Sequence, residues 1–344
     1  MATSLDNPGW LQWMASLMEG ASRQTHAATL PPDRYFCILD ELPLHLIPQR
    51  CRSLADSQEE KLYLNPDCAF YSAGEMPEEL ASFPSLLAGF ALDGTIAWVR
   101  DPVTKSLLLF WMSPALESML RDLRSHGRPA TPPQDMCSLL VAANILMSEA
   151  RIEQRLREYR KKIEKQSSLF RETGYVPIAD LIHPFHVAAL RRYYRYRIRT
   201  GQVALGDKQS SRRYVAYNDP VARFFHHQIS KRLSEIAGEP LKPSYVYLAS
   251  YLGGAELKKH TDREQCDFSI TLCLDFSPEP ELASPWPIRL DTPSGTVTVY
   301  QGLGDGLAYR GTRLPHYRDR LAEGRTSTSI FFHYVAADFA GSLD

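Results

Sequence analysis

The chain has 344 residues, 44% hydrophobic and 23% charged, with a net charge of −1, an ordinary globular composition that excludes wholesale disorder and suits one large or two medium domains. Near-neutrality removes any global case for nucleic acid or an acidic membrane surface, and no apolar run approaches the roughly 18–20 residues that a bilayer requires. Six cysteines (Cys37, Cys51, Cys68, Cys137, Cys266, Cys273) form no CxxC pair, which suits reduced thiols in a cytoplasm better than disulfides or structural zinc.

The first fifteen residues carry no cationic start and no apolar stretch, so no secretory signal is expected. No internal repeat is present. Prolines crowd the first hundred residues, and Leu42–Pro48 reads as an irregular apolar segment. Thr95–Val99 and Ser106–Trp111 are β-rich runs on either side of a turn favoured by Asp101-Pro102, which predicts a hairpin. Leu116, Met119, Leu120 and Leu123 recur at spacings of three and four and predict a helix over 114–123. Pro129, Pro132 and Pro133 break the chain, after which 136–166, free of proline and glycine, predicts one long helix.

The tail of that helix, 151–165, holds seven basic and three acidic residues, and 191–213 holds eight basic residues against Asp207 alone. The ordinary reading is a solvated helix face. The functional one is a groove that attracts an anionic substrate or an acidic peptide. Tyr193, Tyr194 and Tyr196 interleave with the arginines, but no nucleic-acid motif accompanies them. Residues 219–237 predict a further helix, whose adjacent His226 and His227 point about 100° apart and suit packing rather than one metal. His183 and His186 flank Pro184 at a helix start, where capping or packing is the expectation.

From Ser244 the texture changes to short β-type runs: Tyr245–Tyr251, Asp267–Leu274, Ile288–Leu290, Thr296–Tyr300, Gly306–Tyr309 and Ser327–Tyr334. Proline- and glycine-bearing turns separate them, which predicts a β-sandwich or barrel. Within this region lie His260-Thr261-Asp262, then His316, 54 residues after Asp262, then Arg325-Thr326-Ser327. In an extended segment residues i and i+2 share a side, so His260 and Asp262 can converge. One distant histidine completes a face of two imidazoles and one carboxylate, which holds Fe(II) and leaves positions open. Arg325 can pair bidentately with a carboxylate in the same cavity, assisted by the Ser327 hydroxyl.

This pattern resembles that of the Fe(II)- and 2-oxoglutarate-dependent dioxygenases, nearest their prolyl-hydroxylase-like and phytanoyl-hydroxylase-like branches. The segments Gly304–Gly311 and Phe170–Tyr194 resemble parts of the same family, so the likeness covers roughly residues 167–339. It implies an α+β chain: a double-stranded β-helix, or jelly roll, with flanking helices over 167–344. A connecting helix over 136–166 and a smaller mixed accessory domain over 1–135 would precede it. It also implies that His260, Asp262 and His316 bind Fe(II), that Arg325 and Ser327 hold the distal carboxylate of 2-oxoglutarate, and that Tyr251 touches that co-substrate. The implied activity is O2-dependent hydroxylation of a residue in a peptide or protein, or else of a free amino acid or other small metabolite. The reading from a different class is a metal-stabilised jelly roll that binds without catalysis. Cys266 and Cys273 suit small-core packing, Trp286 a rigid turn, and His333 packing or a pocket wall. Neither nucleic acid nor membrane is expected as a partner.

Overall fold

The computed structural model describes residues 26–52, 62–81, 84–126 and 134–343. The N-terminal stretch and the proline-rich break at 127–133 discussed above lie outside them. Contacts divide the described residues into two units, the first reaching Pro84 and resuming over Phe90–Glu158, the second comprising Ser85–Gly89 and the chain from Tyr159 onward. Among the described residues no helix is long and apolar enough to cross a membrane.

The first unit is built on a small antiparallel sheet and helices. Strands β1 (Tyr63–Leu64), β2 (Cys68–Tyr71), β3 (Ile96–Arg100), β4 (Leu107–Trp111) and β5 (Leu146–Met147) form it, with sheet order β2-β3-β4 and a separate β1-β5 pair. The expected hairpin is β3–β4, with Ile96 opposite Trp111 and Arg100 opposite Leu107. Its apolar run is buried on both faces of β4, and Tyr35 and Phe90 close over it with ring centroids 4.9 Å apart. Helix α1 spans Pro114–His126, as the three-and-four spacing requires.

The single long helix expected over 136–166 is two helices instead, α2 (Gln134–Ala142) and α3 (Glu149–Thr173). The interruption is Asn144, in the left-handed region at φ 58°, a conformation asparagine tolerates better than most residues. Its side-chain amide donates to Asp101 at 3.0 Å and its oxygen accepts from Arg155 at 2.7 Å. The apolar Ile145–Met147 then leaves the helix to form β5. Asp101 and Arg155, 2.7 Å apart, pair beside it. Burial pushes the Asp101 carboxyl up, but Arg155 and the backbone N–H groups of Val103 and Thr104 leave it below its ordinary value.

In the second unit, entered by α3 at Tyr159, two antiparallel sheets face each other. The remaining elements are β6 (Tyr175–Ile178), α4 (Pro184–Arg199), β7 (Ala204–Leu205), β8 (Arg213–Tyr217), α5 (Pro220–Ala237), β9 (Leu241–Leu252), β10 (Leu257–His260), β11 (Phe268–Ser277), β12 (Ile288–Thr292), β13 (Gly295–Val299), β14 (Gly306–Arg310), β15 (His316–Arg318) and β16 (Thr326–Ala336). The seven-stranded sheet has the order β6-β14-β11-β16-β9-β8-β7 and the four-stranded sheet the order β10-β15-β12-β13. All six strand runs read from the sequence are present. The mixture of helices with many antiparallel strands is the expected α+β class.

Helices α4 and α5 cover one face of the large sheet. His183 caps α4 by accepting from the Phe185 N–H, and Asp219 caps α5 by accepting from Val221 and Ala222. His226 of α5 packs in the core against Tyr334 and Phe332, with ring centroids 4.5 and 5.7 Å away. On the other face, Leu307 and Tyr309 of β14 meet Ile288 and Leu290 of β12. Strands β11 and β16 are therefore buried on both sides, and alternate residues of β16 serve different layers. Phe332 and Tyr334 meet α5, whereas Phe331 and His333 face a cavity between the sheets.

Candidate metal centre

Two short strands of the small sheet bring the histidines together. β10 and β15 run antiparallel with His260 opposite His316, after a register shift between Leu257 and His260 of the kind that re-aims side chains at strand ends. The two ring centroids are 4.3 Å apart. Asp262 lies beyond β10, where its backbone N–H donates to the Gly311 carbonyl at 2.9 Å. Gly311 leaves room for this approach. A Cβ there would come 2.3 Å from Asp262 Oδ2 and 2.4 Å from the Cys266 carbonyl oxygen.

Asp262 Oδ1 stands 3.7 Å from His260 Nε2 and 3.5 Å from His316 Nε2. These separations are too long for good hydrogen bonds. They approach the roughly 3 Å between donor atoms set at right angles around one ion 2.0–2.2 Å from each. The far ring nitrogens fix the tautomers. His260 Nδ1 is 2.7 Å from the Lys258 carbonyl and His316 Nδ1 is 3.0 Å from the Leu314 carbonyl. A carbonyl only accepts, so each Nδ1 carries the proton and each Nε2 turns a lone pair toward Asp262. Asp262 Oδ2 accepts from Ser269 Oγ at 2.9 Å, and Ser269 Oγ in turn accepts from His333 Nδ1 at 2.9 Å.

Charge states match this arrangement. Burial pushes the Asp262 carboxyl up, but the neighbouring His316 and His333 rings and the Ser269 hydroxyl outweigh it and hold the pKa at about 2. Burial, and then His316, push His260 below the usual imidazole value, and burial pushes His333 down to about 4. At neutral pH the carboxylate is ionised and these two imidazoles are neutral, the form in which such groups bind a divalent ion. The donor set thus fits a hard or borderline divalent metal. Cys266 and His333 also lie near Asp262. They form a poorer set, because burial pushes the Cys266 thiol up to about 12 and Ser269 already engages His333.

The centre opens on a cavity of about 400 Å³ whose wall includes Tyr217, Tyr245, Tyr247, Tyr251, Arg213 and Phe331. Arg213 on β8 donates through Nε to Asp207 at 3.0 Å and through Nη1 to the Tyr251 hydroxyl at 3.1 Å. Of the residues expected around a co-substrate, Tyr251 is fully buried and lines the cavity. Ser327 is its buried cross-strand partner but is not part of the wall. Arg325, half-buried just before β16, is not part of the wall either.

Within the basic run over 191–213, Arg195, Arg199, Lys208 and Arg212 are exposed, and Arg191, Arg195 and Arg199 line a cavity of about 320 Å³, but much of the charge is paired. Arg191 and Arg195 both pair with Asp275, Arg191 also with Glu279, Arg197 with Asp219 and Arg213 with Asp207. Sequence reasoning passed over Ser269 and Arg318, and named Gly311 only as the end of the segment Gly304–Gly311. Ser269 and Arg318 each had a signal: Ser269 sits in the β11 run, and Arg318 follows His316 by two residues and so shares its strand face.

No family model matches the chain, and no curated protein matches it. Solved structures of 2OG-Fe(II) oxygenases are similar to about half of it. The epimerase SnoN, solved in complex with Fe3+, alpha ketoglutarate and nogalamycin RO, is 13% identical over 52% of this chain and 85% of its own, with a TM-score of 0.44. A prolyl-4-hydroxylase of Pseudomonas putida is 16% identical over 50% and 98%, with a TM-score of 0.41. HygX of Streptomyces hygroscopicus, with nickel, 2-oxoglutarate and hygromycin B bound, is 15% identical over 51% and 88%, with a TM-score of 0.40.

Proposed function

We propose that this chain is a non-heme Fe(II)- and 2-oxoglutarate-dependent oxygenase that hydroxylates its substrate. The observation that carries the reading is the convergence of His260 Nε2, His316 Nε2 and Asp262 Oδ1, with both Nδ1 atoms tied to carbonyls. The fold around it supports the reading. Strands β9 to β16 pass back and forth between the two sheets, the winding of a double-stranded β-helix. Bound there, iron(II) supplies the oxidative chemistry in which 2-oxoglutarate and O2 yield succinate, CO2 and one oxygen atom placed on the substrate.

The chain's own residues hold the geometry. Lys258 and Leu314 carbonyls orient the imidazoles, Ser269 and His333 orient the carboxylate, and the packed aromatic wall limits water. A cavity of about 400 Å³ that also holds a co-substrate leaves room for a group the size of one side chain; a residue of a peptide or protein is the substrate in this reading, and a free amino acid or other small metabolite of that size is the alternative. The cavity wall runs from Asp207 to His333, so we assign residues 1–135 an accessory role in substrate recognition.

The test is turnover. Full-length protein given Fe(II), 2-oxoglutarate, O2 and pools of peptides or free amino acids should form succinate together with a product one oxygen atom heavier. Succinate no higher than that from Asp262→Ala would sink the reading. Coupled product from free amino acids alone would reassign the substrate class.

A further inference from the structure

The large sheet has a second cavity on its other face. In register across four strands stand Tyr214 of β8, Ser250 of β9, Thr328 of β16 and Asp275 of β11. The next row is Arg213, Tyr251, Ser327 and Phe276. Successive residues of a strand face opposite ways, so the two rows serve opposite faces. Arg213 and Tyr251 line the metal cavity, whereas all four members of the first row line a separate cavity of about 320 Å³ between the sheet and α4. Thr326 and Ser277, cross-strand partners two residues away, line it as well. A sheet face that packs under a helix is ordinarily apolar; this stretch carries hydroxyls.

The helix side of this cavity is cationic. Arg191, Arg195 and Arg199 recur at intervals of four, so one face of α4 presents three guanidinium groups to it. Two carboxylates answer them. Asp275 accepts from Arg191 Nε at 3.0 Å, from Arg195 Nε at 2.5 Å and from the Phe276 N–H at 3.0 Å, and Glu279 accepts from Arg191 Nη2 at 2.8 Å. The one carboxylate in the wall is thus fully engaged. Arg195 uses Nε and Nη2 on Asp275 and keeps Nη1. Exposed Arg199 pairs with no carboxylate among the described residues; its guanidinium carbon lies 5.9 Å from the Tyr196 ring centroid. On the sheet side the Ser250 and Thr328 hydroxyls bond each other at 2.8 Å, which uses one proton and leaves the other to donate. Donors therefore come from a helix on one side and a sheet on the other. That suits a tetrahedral oxyanion, with acceptor atoms in several directions, better than a flat carboxylate. We infer that this cavity binds a phosphate group, free or as the ester of a small metabolite, through Arg195, Arg199 and the hydroxyls of the sheet row. The site goes beyond the oxygenase reading and does not rest on the metal centre.

The test is calorimetry of the full chain at fixed ionic strength with inorganic phosphate and, separately, glycerol 3-phosphate. Wild type should bind one phosphate group per chain, and Asp262→Ala should bind it equally well, because the metal face lies across the sheet. Arg199→Met should weaken binding about tenfold or more, as loss of a charge-assisted hydrogen bond does. Lys231→Met removes the same charge from an exposed position on α5 and should change affinity less than twofold. Tighter binding of glycerol 3-phosphate assigns the site to a phosphorylated metabolite, and tighter binding of inorganic phosphate assigns it to the free ion. No binding of either probe, affinity unchanged by Arg199→Met, or affinity lost in Asp262→Ala overturns the inference. So does displacement of phosphate by an equal concentration of acetate. If circular dichroism shows Arg199→Met unfolded, Tyr214→Phe carries the test: affinity reduced about threefold or more supports the site, and unchanged affinity overturns it.

Discussion

The helix side of the large sheet and the interior between the two sheets treat buried arginine differently. Under α4, Arg191 is 1% exposed and donates to Asp275 at 3.0 Å and Glu279 at 2.8 Å, while Arg195 shares Asp275. In the interior, Arg318 is as deeply buried and meets only neutral acceptors. Folding neutralises the first charge and not the second. An ion pair completed within the chain fixes α4 on the sheet, whereas Arg318 is held between the sheets by neutral acceptors alone.

The largest expected effect separates the metal face from the helix side altogether. Asp262→Ala or His316→Ala removes one donor of three and should lower divalent-metal affinity by more than about 100-fold by calorimetry, with the unfolding transition little moved. Unchanged affinity in both would misplace the centre. Next comes the helix side. Asp275→Ala removes the carboxylate that Arg191 and Arg195 share and should cost about 3–5 kcal/mol in urea unfolding, as removal of one member of a buried pair does, while metal affinity stays as it was. A cost below about 1 kcal/mol would mean that Arg191 is no more dependent on its partner than Arg318 is.

A smaller effect is expected one step behind the metal face. Ser269→Ala removes the bond that aims Asp262 Oδ2 and should weaken metal binding about tenfold, within the usual range for such supporting groups. Ser269→Thr should recover most of it. The smallest effect concerns the cavity rim. Hydrogen bonds from Arg213 and Tyr247, working against burial, hold Asp207 at about 2, below its ordinary 3.8. Its contribution to stability is therefore complete above about pH 4 and is lost as pH falls toward 2. Asp207→Asn should flatten that part of an acid titration followed by near-ultraviolet circular dichroism; superimposable curves for the two proteins would count against the pair.

Much of this was legible in the residues. The β runs, the capped helix α5 and the spacing of His260, Asp262 and His316 are local or nearly periodic signals, and they survive in the structure. The strands that carry the two histidines are not, because β10 and β15 have four and three residues, too few to show a period of two. The break at Asn144 was hidden because its cause is tertiary, a side chain held by Asp101 from 43 residues away. Charge partnership was hidden for the same reason. Arg191 finds Asp275 84 residues later, and nothing near Arg318 in the sequence announces that it finds no carboxylate. The basic run, read first as a solvated face, keeps exposed Arg195, Arg199, Lys208 and Arg212 but ties Arg191 and Arg213 into buried ion pairs that no local pattern announces.

The most direct test of the metal centre is spectroscopic. Fe(II) is added anaerobically to the full chain, 2-oxoglutarate follows, and the visible spectrum is recorded at each step. The expected result is one iron bound per chain and an absorption band that requires both additions and is absent in Asp262→Ala. A spectrum that never changes in wild type, or the same band in Asp262→Ala, would contradict the assignment of His260, Asp262 and His316.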